Sequence, residues 1–194
     1  MFYIGIDLGK WRDHTAFVIL QRAPAGHRYV YLRGVERLPL GTPYPAVVER
    51  LQALVRRLGG KCCIIVDGTG VGAPVVDLIR RARMGCDICE VTITGGEHAS
   101  SGGSGGRWNV PKQDLVTGLQ MMLEQGELRI ARKLKEAGQL VKELTDMQAT
   151  SRKTGRVRLG ADGCGQHDDL VMALALACWK VGRGMNGMGE GRVV

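Results

Sequence analysis

The sequence has no apolar run near the ~20 residues that span a bilayer; its longest, residues 170–179, is roughly half that length. No membrane segment is therefore expected. The opening Met1-Phe2-Tyr3-Ile4-Gly5-Ile6-Asp7 has no basic stretch and meets an acid almost at once, unlike a secretory signal. These two absences make the cytoplasm the expected location, where thiols stay reduced. The six cysteines also lack a metal or redox pattern. Cys86 and Cys89 fall in one strand-like segment, where positions i and i+3 face opposite ways, and there is no second CxxC. They are expected to be buried structural thiols. No HExxH and no Ser-His-Asp arrangement stands out, so side-chain nucleophiles and zinc peptidase chemistry are not indicated. No internal repeat is present.

What is there is basic and compact. The chain has 194 residues, which suits one domain with its own core. A net charge of +8 favours a polyanionic partner, nucleic acid first. Residues 2–8, 14–21 and 27–37 read as three strands of an antiparallel meander, the last by its alternation of polar and apolar residues. Helical periodicity then covers 44–58 and 71–84, each followed by an apolar strand, at 61–67 and 87–93. Helix–strand units of this kind imply parallel pairing, so the expected fold is α/β, with a mixed sheet of three antiparallel then two parallel strands flanked by helices. Residues 94–106 read as a Gly/Ser-rich loop, 110–125 and 133–147 as amphipathic helices, and 151–160 as a basic hairpin turning at Thr154-Gly155. A buried helix over 170–181 ends the domain, expected at 1–181. A flexible Gly-rich tail is expected over 182–194.

Topology narrows where the acids meet. A crossover strand at 61–67 is best placed on the free side of the first strand and parallel to it. The order of strands then reverses between the two, and ligands of open α/β sheets bind at the carboxyl ends of strands at such a switch. Asp7 lies near the carboxyl end of the first strand, and Asp67 is the last residue of the other. Carboxylates on strands ~4.8 Å apart repel unless a proton or cation intervenes. Asp168-Asp169 precedes the apolar helix; one Asp serves as an N-cap, but two beside a core are costly without compensation. Asp7, Asp67, Asp168 and Asp169 are thus the candidate catalytic metal ligands, with two Mg²⁺ or Mn²⁺ ions for phosphodiester hydrolysis. His167 is a possible auxiliary. Arg107, Lys112, Arg152, Lys153, Arg156 and Arg158 are candidate DNA phosphate contacts. Trp108 can stack on a base or anchor its loop, and His98 reads as an ordinary polar residue.

Three stretches resemble the RNase H-like nuclease domain of phage terminase large subunits: Gly5-Ile6-Asp7-Leu8-Gly9 with Asp13-His14-Thr15-Ala16, Val66-Asp67-Gly68-Thr69-Gly70-Val71-Gly72, and His167-Asp168-Asp169-Leu170-Val171-Met172-Ala173-Leu174. Trp108-Asn109-Val110-Pro111-Lys112, Gly126-Glu127-Leu128-Arg129-Ile130 and the Glu143-Leu144 region are softer matches. The resemblance implies a metal-dependent endonuclease cutting duplex or branched DNA in a bacterial host, of phage or prophage origin. It also implies metal ligation by Asp7, Asp67 and Asp168, with Asp169 alongside. The GxxxxGK[ST] loop of a terminase ATPase does not occur in these residues. Any packaging ATPase or portal would be a separate partner. A Holliday-junction resolvase of the RuvC type and a non-catalytic DNA-binding module of the same fold are the alternatives. Gly68-x-Gly70-x-x-Ala73 also matches a dinucleotide fingerprint, but Asp67 would aim its charge at the pyrophosphate.

Overall fold

The computed structural model describes residues 1–9, 11, 13–70, 72–103, 105–131, 134, 137–154 and 168–186, with backbone alone over 148–154 and at 186. Cys164, His167, Arg156, Arg158 and the chain beyond Asn186 lie outside the described residues.

Three apolar strands, β1 (Phe2–Asp7), β2 (Ala16–Arg22) and β3 (Val30–Arg37), form the expected meander. Helix α1 (Tyr44–Arg57) buries Val47, Val48, Leu51, Leu54 and Val55, the stripe that its periodicity announces. It leads to β4 (Cys62–Asp67), which pairs parallel to β1 on the side away from β2. Helix α2 (Gly72–Arg81) and β5 (Asp87–Thr94) follow, β5 parallel to β4.

Elements missed by the sequence reading extend both edges. Strand β7 (Arg107–Pro111) pairs parallel to β5, and the two-residue β6 (Ser100–Ser101), inside the expected loop, pairs antiparallel to β7. The next helix, α3 (Lys112–Glu124), starts after Val110 because the residue before a proline is held extended; Pro111 itself has ψ 135. Strand β8 (Leu128–Ile130) pairs parallel to β3 and is too short for its alternation to be read. The full order is β6-β7-β5-β4-β1-β2-β3-β8.

Helix α4 (Ala137–Thr154) corrects the expected hairpin: Arg152 and Lys153 are helical, since neither Gly nor Pro interrupts the chain between Gly138 and Gly155. Helix α5 (Asp169–Asn186) likewise passes its expected end at Val181. Gly182 and Gly184 stay helical, and Arg22 donates to the Gly184 carbonyl at 3.3 Å near the helix end.

The sheet separates two apolar layers. Ile4, Ile6, Phe17, Ile64 and Val66 face α1 and α2; Tyr3, Val18, Leu20, Cys63 and Ile65 face α3, α4 and α5. Cys89 lies in the second layer and Cys86 packs against the first, on opposite sides as the alternation requires. The described cysteines are free thiols, and burial pushes Cys63 and Cys178 up to about 12, so they stay protonated and inert.

Candidate metal centre

Strand register decides which side chains meet. Ile6 pairs with Val66, so the next residues, Asp7 and Asp67, stand level at the carboxyl ends of adjacent parallel strands. Both share the parity of Gly5 and Ile65, which turns them toward the layer of α5. Asp7 pairs in turn with Ala16, and Ala16 with Arg37. One row across the sheet therefore reads Asp67, Asp7, Ala16, Arg37.

Helix α5 is pressed onto this row by a glycine. A Cβ at Gly5 would lie 1.9 Å from the Ala173 carbonyl oxygen, so only glycine lets the helix come so close to β1. Asp169 is one turn back from Ala173 along the helix, and Asp7 is two residues on from Gly5 along the strand. The close contact at Gly5 thus brings the amino end of α5 over Asp7. The Asp168 carbonyl accepts the first helical hydrogen bond, from Met172 N–H at 2.9 Å. Asp168 Oδ2 is buried and has no hydrogen-bond partner. A carboxylate oxygen left so is costly unless a cation completes it.

The electrostatics agree with the register. Burial holds the Asp7 carboxyl well above the usual carboxylate range, and the charges of Asp67, Asp169, Asp168 and Asp13 push it the same way. Burial also raises Asp67, opposed by hydrogen bonds from the Thr69 hydroxyl and backbone N–H and by the charge of Lys112. The Thr69 N–H reaches Asp67 Oδ1 at 2.8 Å, and its hydroxyl accepts from Ile93 N–H at 2.9 Å. Thr69 therefore ties Asp67 to β5 and fixes its rotamer. Thr69→Val is expected to weaken Mn²⁺ binding roughly 10- to 100-fold, as loss of a ligand's outer hydrogen bond does, with Thr69→Ser restoring it; titration calorimetry reads both.

Asp169 differs from the other acids. It is 2% exposed, and its Oδ2 lies 3.4 Å from Arg37 Nε. Arg37 also donates through Nη2 to Glu143 Oε1, which accepts from Gln139 as well. Arg37 is thus the cation that answers Asp169 and Glu143, tying β3, α4 and α5 together beside the acids. As they stand, no three His, Cys, Asp or Glu side chains among the described residues form a group that would hold an ion.

The basic candidates divide. Lys112, at the amino end of α3, stands within electrostatic reach of Asp67. Arg107 is held with Arg80 by the buried Glu90 carboxylate, at 3.1 and 2.8 Å. Trp108 is an anchor: its ring meets Trp179 edge-on at 5.6 Å with the Arg183 guanidinium 4.3 Å above it. His98 is exposed. Gly68 makes room for Glu90, whose Cγ would lie 2.8 Å from an added Cβ, which explains that glycine without a dinucleotide. Asp13, Thr69 and Arg37 went unassigned in the sequence. Only Thr69 carried a signal, as a hydroxyl two residues after an Asp at a turn.

No family model matches the chain, and no curated protein does. Among solved structures it is similar to the large terminase nuclease of thermophilic phage G20c with bound magnesium: 22% identity and a TM-score of 0.62, over 92% of this chain and 80% of that one. The nuclease domain of the SPP1 bacteriophage large terminase, with bound Mn, gives 11% identity and a TM-score of 0.50 over 93% and 86%. Thermus thermophilus RuvC in complex with a Holliday junction substrate gives 12% identity and a TM-score of 0.49 over 96% of each chain. The chain has the RNase H-like fold, in the form taken by the nuclease domains of phage large terminases.

Proposed function

We propose that this chain is a Mg²⁺- or Mn²⁺-dependent DNA endonuclease whose centre is built from Asp7, Asp67 and Asp168, with Asp169 alongside and His167 as an auxiliary. The observation that carries this reading is the charge around Asp7: carboxylates from β4 and from the start of α5 bear on it at the carboxyl ends of two parallel strands. The donors are carboxylate oxygens, the class that these hard cations prefer, and the unpartnered Asp168 Oδ2 is an oxygen in want of a cation. The residues present therefore fit the ions.

When bound, a pair of such ions supplies an activated water and a stabilised leaving oxygen. The chain's residues do the rest. Asp7 and Asp67, level on adjacent strands, fix the spacing of the ligands, and Thr69 holds Asp67 in one orientation. Arg37 answers the charges of Asp169 and Glu143, so the centre's negative charge falls mainly to Asp7, Asp67 and Asp168. Lys112, within electrostatic reach of Asp67, is the first phosphate contact of this reading, with Arg107 and the run of Arg152, Lys153, Arg156 and Arg158 as further ones. Such contacts give affinity with little sequence preference. Cutting of packaged viral DNA, with a separate ATPase or portal as partner, is the biological setting that this reading favours. Among the described residues no helix is long and apolar enough to cross a membrane.

Supercoiled plasmid, linear duplex and a four-way junction, each incubated with Mn²⁺, Mg²⁺ or EDTA, test the proposal. Nicking of plasmid with either ion and none in EDTA is expected. Cutting confined to the junction makes the chain a resolvase. Binding of DNA without cleavage under any condition leaves a DNA-binding module and rejects the enzyme.

A further inference from the structure

Cys62, Cys63, Cys86 and Cys89 gather where β4 and β5 begin, and the strand geometry sorts them. Cys63 is level with Asp87 on the adjacent parallel strand, so the residues before them, Cys62 and Cys86, stand level too. Both lie on one side of the sheet: Cys62 belongs to the layer of α1 and α2, and Cys86 packs against it. Cys63 and Cys89 face the other layer. These two are staggered, because Cys89 pairs with Ile65, two residues further along β4. Strands lie ~4.8 Å apart and rise ~3.3 Å per residue, so the level pair falls within the roughly 4.4–6.8 Å between Cα atoms that a disulfide spans. The staggered pair stands about 8 Å apart, beyond that reach. Pairings of Cys62 with Cys89, or of Cys63 with Cys86, would have to cross the sheet.

Local contacts bring the level pair together. The Cys62 N–H donates to the Gly60 carbonyl at 3.2 Å, and Cys86 Sγ lies 3.5 Å from the same oxygen. The Cys86 sulfur is thus held against the backbone that starts β4. Burial pushes the Cys62 thiol up to about 12, and a hydrogen bond with the Cys86 thiol adds to the rise. The two differ in access: Cys62 is 3% exposed, whereas Cys86 is half-buried. A sulfur that solvent reaches, with a second one enclosed beside it, is the arrangement of a reactive thiol and its resolving partner.

We propose that Cys62 and Cys86 are a dithiol that closes reversibly to a disulfide, a redox-sensitive clamp between the starts of β4 and β5. The oxidant is a small-molecule disulfide. The Cys86 thiolate attacks one of its sulfurs and expels the first small thiol, leaving a mixed disulfide on Cys86. Cys62 then gives its proton to solvent and attacks the Cys86 sulfur. The mixed S–S bond breaks and the second small thiol leaves. The protein thiols give up two electrons and two protons, and the small disulfide is reduced to two thiols. The closed segment, 62–86, contains α2 and Asp67, but the clamp sits at the opposite end of β4 from Asp67. It stiffens the unit that carries this acid without touching it, and it stands whether or not the chain cuts DNA.

The test incubates the full chain with oxidised glutathione, quenches it in acid, unfolds it and alkylates the remaining thiols for intact-mass counting. The wild type is expected to lose two of its six alkylatable thiols while retaining no glutathione, and dithiothreitol should restore both. Trypsin should then release residues 62–80 linked to residues 84–107. Those peptides also carry Cys63 and Cys89, so variants assign the bond: Cys86→Ser should abolish it, and Cys89→Ala should keep it. The closed protein is expected to melt roughly 4 °C or more above the reduced one, with no such rise in Cys86→Ser. Six thiols retained in the wild type overturn the clamp, as does a glutathione adduct that never resolves. A linked pair in Cys86→Ser, its loss in Cys89→Ala, or a closed form that melts no higher than the reduced one does the same. Thermal melting of each reduced variant shows that the fold is intact.

Discussion

Asp7→Asn is expected to abolish metal-dependent nicking and, in the same protein, to raise the thermal stability of the metal-free chain. The two effects have one cause. Asp7 is the acid on which Asp67, Asp168, Asp169 and Asp13 all bear, and it is buried as well. Removing a Lewis-acid ligand forfeits several kcal/mol of transition-state stabilisation, on the order of 10³-fold in rate. Without metal, the same carboxylate is an uncompensated charge among like charges, and an amide of the same shape relieves it. The pH dependence follows in sign. In the folded chain Asp7 takes up its proton at higher pH than in the unfolded chain. Between those two points the folded state holds the extra proton, so stability falls as pH rises through the interval. Asp67 contributes in the same direction, so Asp7→Asn flattens the slope without erasing it. Saturating Mn²⁺ binds the deprotonated acids and should reverse the slope in the wild type. Melting curves from pH 4 upward, with and without Mn²⁺, read all of this. A destabilised metal-free Asp7→Asn protein, or one that nicks plasmid at the wild-type rate, would remove Asp7 from the centre.

The sequence pointed to the proposed centre because two of its acids lie at the ends of strands whose pairing topology could be argued. An apolar run closed by Asp7, then a crossover to a second run closed by Asp67, leaves few other placements for β4. Register then follows from period-2 alternation. Asp168, the third acid of the proposed centre, was singled out for a different reason: paired acids before an apolar helix exceed what capping needs. Elements without a periodic signature stayed hidden. Strand β8 has three residues, and the five of β7 follow a glycine run and end in a proline, so neither reads as a strand by pattern. The end of α4 was misjudged because Thr154-Gly155 matches a turn, whereas the helix propagates up to that glycine. Counter-charges were also out of reach. Nothing in the order of residues says that Arg37 will find Asp169 and Glu143, because the meeting depends on how α4 and α5 cross β3.

That meeting supports the second large effect. Arg37→Met is expected to destabilise the chain by about 3–5 kcal/mol, the cost of stripping the partner from buried charges. Its side chain is 17% exposed, against 5% for Glu143 and 3% for Asp169, so water has little access to compensate. Glu143 Oε2 already lacks a hydrogen-bond partner, and methionine fills the space of arginine while supplying no donor. The loss should be partly repaired by a second change, Arg37→Met with Glu143→Gln, which removes one of the stranded charges and recovers at least about 1 kcal/mol. Urea unfolding at neutral pH measures both. The same substitution adds one net negative charge beside the proposed metal ligands, so saturating Mn²⁺ should stabilise Arg37→Met by more than it stabilises the wild type. A variant within about 0.5 kcal/mol of wild type would mean that the Arg37 contacts are incidental, as ordinary surface substitutions are. Equal Mn²⁺ stabilisation of the two proteins would mean that Asp169 and the ligand acids do not share one electrostatic field.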